Sequence, residues 1–223
     1  MNHRDLEGKA LLFSVLTALA LLIGGIVELV PLIAVESNVP TIEAVKPYTP
    51  LEVMGRDIYV REGCYNCHSQ MVRPFRAETE RYGEYSKAGE FVYDHPFQWG
   101  SKRTGPDLHR IGGKYNDFWH YKHMIDPRST SEGSIMPAYP WLGRRTLDFD
   151  SLPKHMGALA KVGVPYSDAE IDDSVAQAKD QAKGIAEGLA EFKVTITPDK
   201  QVIALIAYMQ RLGTDIKAQE ASQ

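Results

Sequence analysis

The run ALLFSVLTALALLIGGIVELVPLIAV, Ala10 to Val35, constrains this chain more than any other stretch, and its single charge is Glu28. A helix rises about 1.5 Å per residue, so about 20 apolar residues cross roughly 30 Å of hydrocarbon, and this run is long enough. A cleaved secretory leader carries a shorter apolar core, about 7–15 residues, and a small-x-small cleavage site that is missing after Leu32. The run therefore reads as an uncleaved transmembrane anchor. Arg4 and Lys9 precede it and the next basic residue is Lys46, which favours an inside N-terminus and an outside domain, in a bacterium the periplasm. Glu28 stands three residues before Pro31 and reads as an interfacial acid rather than a functional intramembrane one. Ala20 and Gly24 form a small-x-x-x-small pair that lets a partner helix approach.

With 223 residues, the chain has room for one globular domain after the anchor. Its net charge of −4 and the lack of a dense basic stripe exclude nucleic acid as a partner. The expected order is an anchor over 1–36, a Pro-rich polar linker over 37–50, a domain over 51–213 and a tail over 214–223. LEVMGRDIYVREG has Leu51, Met54 and Ile58 at helical spacing, and DFWHYKHMI predicts a short helix stopped at Asp126-Pro127. TPDKQVIALIAYMQRLG predicts a closing helix started by Thr197 and Pro198, apolar along Val202, Leu205, Ile206 and Met209, and ended by Gly213. Residues 69–103 read as irregular, and 167–191, rich in Ala, Asp and Lys, as helical and largely exposed. FKVTI is the one weak strand signal, so the fold class is all-α with long loops.

The only two cysteines lie in REGCYNCHSQMVRPFR, which sets Cys64, Cys67 and His68 in the order C-x-x-C-H. A zinc site needs four ligands, usually two close pairs, and there is no second C-x-x-C. A thioredoxin-type dithiol sits beside a βαβ pattern, which this chain lacks. Haem attachment needs two thiols one turn apart to add across two vinyl groups, and a histidine just after them beneath the iron. The motif supplies all three.

The other face of the iron has candidates in His95, His109, His120, His123, His155 and the methionines. Met136 stands out in SEGSIMPAYP, a Pro-flanked loop without helical periodicity, whereas Met71 follows His68 too closely and Met124 and Met209 sit on predicted helices. Met136 therefore reads as the axial ligand, with core filling as the plainer alternative for such a methionine. In TGPDLHRIGGKY the carbonyl of Pro106, held in a rigid turn, is a fitting acceptor for the second N–H of a proximal histidine. His/Met ligation fills both axial sites and raises the potential, which suits single-electron transfer rather than oxygen binding.

The order helix, C-x-x-C-H, GPDL…GG, Met in an MPAY loop, then ALIAYMQRLG resembles a class I cytochrome c domain. That resemblance implies that the first and last helices cross, with Gly55 and Tyr208 at the contact. GRDIYVREGCYNCHSQMVRPFRAETERYGEYS, YDHPFQWGSKRTGPDLHRIGGKY and MPAYPWL further resemble the mono-haem membrane subunit of the cbb3-type cytochrome c oxidases, the CcoO/FixO type. The likeness runs from the anchor to about Leu142 and resumes in the final helix. An extra helical segment, about 143–197, falls outside it.

What that resemblance implies is a single-span inner-membrane subunit with one covalently bound haem c in the periplasm. Its partners would be a catalytic haem–copper subunit, a di-haem cytochrome c subunit, a donor cytochrome c and membrane lipid. It also implies a calcium near the haem propionates at the catalytic subunit, where Arg56 and Ser101 match the positions this subunit contributes.

Arg73, Arg76 and Arg103 are candidates for bidentate pairing with haem propionates, with a solvated surface and anionic groups of a partner as open alternatives. Two rival functions stand beside the oxidase reading. A free-standing anchored cytochrome c shuttle would need a longer tether, and a haem sensor or peroxidase-like enzyme would need an open sixth site.

Overall fold

In the computed structural model, which describes residues 3–35, 40–100 and 102–221, Ala10–Ala34 form one helix, α1. Residues Ala10–Leu32 within it are long and apolar enough to cross a membrane, with a mean hydropathy of 2.6. A helical turn, His3–Glu7, precedes it. Pro31 lies inside α1, and the N–H of Val35 still reaches its carbonyl. The chain divides into two units, Met1–Thr41 and Ile42–Gln223.

The second unit is helical, and no strand occurs among the described residues. FKVTI is coil, and Thr146 and Lys200 form one isolated bridge. Its helices are α2 (Pro50–Arg61), α3 (Arg76–Tyr82), α4 (Asp117–Ile125), α5 (Leu152–Lys161), α6 (Asp168–Asp172), α7 (Ser174–Glu191), α8 (Gln201–Arg211) and α9 (Thr214–Ala221). Pro50 occupies the first turn of α2, where its missing N–H costs nothing, and Glu52 accepts the Thr49 N–H at 2.8 Å.

Helices α2 and α8 cross at the centre of the core. Leu51, Val53 and Ile58 of α2 meet Val202, Ile203, Leu205, Ile206 and Met209 of α8, all buried. Each fully buried aliphatic side chain contributes roughly 1.5–3 kcal/mol relative to exposure. The crossing is close because of Gly55: a Cβ there would lie 2.0 Å from the Ala204 carbonyl oxygen and 2.8 Å from Tyr208 Cβ. Tyr59 and Tyr208 pack beside it with ring centroids 5.4 Å apart. The sequence expectation for Gly55 and Tyr208 agrees with this contact.

Several expectations need correction. The closing helix starts at Gln201, not Thr197. The Thr197 hydroxyl bonds the Asp199 carboxylate and the Lys200 N–H reaches the Thr197 carbonyl, so these residues form a turn. Residues 167–191 are helical and mostly exposed, as expected, but α7 carries a buried stripe that the sequence reading did not pick out: Ser174, Ala178, Ala182, Ala186 and Leu189 lie at helical spacing where α7 packs on α2 and α8. Residues 76–82, within a stretch read as irregular, form α3. Residues 214–221, read as tail, form α9, held by the buried Ile216 and by Arg211 on Asp215. The end of the linker is docked as well. Lys46 N–H reaches Asp215 Oδ2 at 3.0 Å and Tyr48 packs edge-on to Tyr208.

Candidate functional site

Helix α2 ends one turn before the cysteines. Gly63 adopts φ 73° and turns the chain into a short 3-10 turn, Cys64–Asn66. The N–H groups of Cys67 and His68 both reach the Cys64 carbonyl, at 3.2 and 3.0 Å, which places the two thiols on one turn with the histidine directly after. Both cysteines are free, Cys64 half-buried and Cys67 exposed. Burial, and then the charge of Glu62, push the Cys64 thiol up to about 12. A redox dithiol needs a thiolate of depressed pKa, so this environment is unsuited to that chemistry.

His68 is fixed from one side. Its Nδ1–H donates to the Pro106 carbonyl oxygen at 2.7 Å, which sets the tautomer and leaves the Nε2 lone pair free. Burial lowers its pKa, more than the Pro106 bond and Asp107 raise it, so the ring is neutral and able to ligate. The backbone at Gly105 runs against the imidazole: a Cβ there would stand 2.3 Å from Cε1 and 2.8 Å from both ring nitrogens. No other residue fits.

Asp107 locks the Pro106 turn to the cysteine loop. Its carboxylate accepts from the Ser69 hydroxyl at 2.6 Å, the Met71 N–H at 2.8 Å and the His109 N–H at 2.8 Å. Backbone bonds Gly105 N–H to Cys67 O and Leu108 N–H to Ser69 O, both 2.9 Å, run alongside. Arg103 braces the same loop, donating to Ser69 Oγ at 2.7 Å, Met71 O at 2.9 Å and Glu78 Oε2 at 2.7 Å. Arg103, and then Arg73, hold the Glu78 carboxyl down to about 2 against its burial.

The Met136 loop closes on this region. It leaves α4 and returns where the Tyr139 N–H reaches the Met124 carbonyl at 2.9 Å. Met136 is half-buried and packs against the core. Burial, then the charges of Cys64 and Cys67, raise the Tyr139 phenol, and the Trp141 indole N–H reaches Glu62 at 3.0 Å. The segment after Met136 therefore lies against the cysteine motif. Burial, and then the neighbouring His68, lower the pKa of His123 in α4.

Whether a haem fits is tested by atoms the protein leaves unused. The Tyr59 hydroxyl and His120 Nε2 are fully buried and without a hydrogen-bond partner. Tyr59 lies within electrostatic reach of Cys64 and Asp107, and burial pulls His120 down to about 4. A neutral imidazole with a bare Nε2, two thiols on one turn, a glycine cradle and unpaired buried polar groups fit a C-x-x-C-H haem.

The other candidates are placed differently. Arg73 Nε donates to Glu78 at 2.5 Å and Arg76 pairs with Glu80 at the surface at 2.7 Å, so with Arg103 the partners of all three are the chain's own carboxylates. The Arg56 guanidinium donates to Asp94 Oδ1 at 3.1 Å and to the carbonyls of His95 and Pro96. A guanidinium has no lone pair for a cation, so its side chain acts by holding the 94–96 backbone. Ser101 lies outside the described residues. Among the described residues no group of three or more His, Cys, Asp or Glu is placed to hold a metal ion. Sequence reasoning missed Gly105, Asp107 and Glu78. The first two flank the Pro106 that it chose, so TGPDL carried more signal than was read.

A family model described as "Cytochrome C oxidase, mono-heme subunit/FixO" matches residues 3–216. No curated protein matches the chain.

Proposed function

The chain belongs to the mono-haem subunit family of cytochrome c oxidase, the FixO family, and from that premise we propose that it carries single electrons through one covalently bound haem c toward the catalytic haem–copper subunit of a cbb3-type oxidase. The observation that carries this reading is the His68 Nδ1–H bond to the Pro106 carbonyl at 2.7 Å, with Gly105 against the ring. In it Cys64 and Cys67 would attach the haem, and His68 and Met136 would ligate its iron. The iron, when bound there with both axial sites filled, supplies reversible one-electron chemistry at a raised potential.

The protein's own residues do the rest. Asp107 and Arg103 keep the Pro106 carbonyl on the imidazole, so ring orientation and ligand basicity stay constant during turnover. The crossed α2–α8 pair provides the rigid floor. Phe97 and Trp99 stack at 5.0 Å, each about half exposed, on the segment that Arg56 holds. Large exposed stacked aromatics suit a docking contact with the catalytic subunit better than solvent. The family likeness implies a calcium at that contact, for which Arg56 and Ser101 are this chain's matching positions, and Arg56 would act there by bracing the 94–96 backbone. Electrons arrive from a donor cytochrome c or the di-haem subunit. The Arg4 and Lys9 pair before α1 favours a periplasmic domain.

Extraction in mild detergent followed by mass analysis tests the subunit claim. Recovery with a haem–copper subunit and a di-haem cytochrome supports it. Recovery of the monomer alone favours the anchored shuttle.

A further inference from the structure

His123 is built like a second ligand. It ends α4 at the base of the Met136 loop, where the Tyr139 N–H closes the loop onto the neighbouring Met124 carbonyl. Its ring stacks on Trp119 with centroids 4.5 Å apart and planes 11° apart, which fixes its orientation. Its Nδ1 lies 2.6 Å from Thr130 Oγ1, and Thr130 is in the Met136 loop itself. The Thr130 hydroxyl has one hydrogen, directed at the Pro127 carbonyl at 3.1 Å. Thr130 thus engages Nδ1, and Nε2 is the ring nitrogen left for a ligand bond. His68 is likewise held at Nδ1, by Pro106, and the two imidazoles lie within electrostatic reach of one another.

The loop that carries Met136 is lightly held. Residues 131–133, 135 and 137 are exposed, Ile135 among them, and the Met136 N–H has only the Ser134 hydroxyl at 3.3 Å. A neutral thioether presented by such a loop is the weaker of the two axial ligands, while the imidazole behind it is anchored on a helix.

We propose that His123 is a reserve axial ligand: when the Met136 thioether leaves the haem iron, His123 Nε2 takes its place. This rests on the His68/Met136 reading given above. The exchange breaks one iron–sulfur bond and forms one iron–nitrogen bond. No electron moves, and the one N–H of the neutral imidazole then sits on Nδ1, facing the Thr130 oxygen, so no proton has to leave the ring. The consequence is an iron that remains six-coordinate. It is closed to oxygen and other small ligands beside an oxygen-reducing partner, but sits at a lower potential because imidazole replaces thioether.

The test uses the full haem-loaded chain in detergent and reads the ferric spectrum and midpoint potential. Met136→Ala is expected to lose the weak far-red band of sulfur ligation, stay low-spin and fall in potential. Met136→Ala combined with His123→Ala is expected to turn high-spin and to return to low-spin when imidazole is added, which shows that the cleft is still folded. A high-spin Met136→Ala protein, or a double variant that stays low-spin without imidazole, overturns the proposal. A sulfur band that survives Met136→Ala instead refutes the underlying assignment of Met136.

Discussion

The His68 imidazole and the Asp107 carboxylate are coupled through one turn of backbone: Asp107 fixes the loop whose Pro106 carbonyl accepts the His68 Nδ1–H at 2.7 Å. Removing the carboxylate leaves Ser69, Met71 and His109 without their acceptor and Arg103 without one of its anions. Asp107→Ala should destabilise the haem-loaded protein by about 3–5 kcal/mol, the usual cost of deleting one partner of a buried charged network. Denaturant titration followed by haem absorbance measures it, and a loss below about 1 kcal/mol would mean that the network does not hold the turn.

Gly105→Ala puts a methyl group into the face of His68, where the nearest ring atom would be 2.3 Å away. The backbone there is tied to Cys67 O, so the ring has to give way. The variant should show a weakened proximal bond, seen as partial high-spin character in the ferric spectrum, and a stability loss of about 1–3 kcal/mol. An unchanged spectrum would contradict the placement of this glycine.

Gly55→Ala tests the crossing of α2 and α8 away from the haem. Its Cβ would overlap the Ala204 carbonyl, which cannot retreat without separating the helices. A loss of about 3 kcal/mol with an unaltered haem spectrum in the remaining folded fraction is the expected result. Thermal unfolding checks it.

Glu78 sets an acid limit on the loop. Its folded pKa, about 2, lies below the ordinary glutamate value of about 4.3. A depressed folded pKa contributes stability that is present above the unfolded value and lost as pH falls through the folded one. Wild type should therefore lose stability relative to Glu78→Gln between about pH 4.3 and about pH 2. Parallel curves for the two proteins across this window, by urea titration at stepped pH, would remove Glu78 from the account.

Much of the site was readable because its chemistry depends on local spacing. Cys64, Cys67 and His68 fall within five residues, Pro106 announces a turn, and the apolar run of α1 is long enough to cross a membrane. What was not readable depended on distant partners. The sequence does not say that Glu78 and Glu80 fold back onto Arg73, Arg76 and Arg103. The buried stripe of α7 was not legible because Ala178, Ala182 and Ala186 are weakly apolar one at a time. They are buried because small side chains let α7 approach α2 and α8 closely, a fact about the neighbours. The start of α8 was misplaced because Thr197 is a good cap residue that bonds Asp199 instead.

The central claim is that Cys64 and Cys67 would attach one haem whose iron His68 would ligate. Intact-mass measurement of the full chain, made in a host that matures c-type cytochromes, tests it most directly. The account predicts the 24.9 kDa chain plus one haem, and the bare chain for Cys64→Ala combined with Cys67→Ala. A wild-type chain without haem mass, or a double variant that keeps it, would contradict the account.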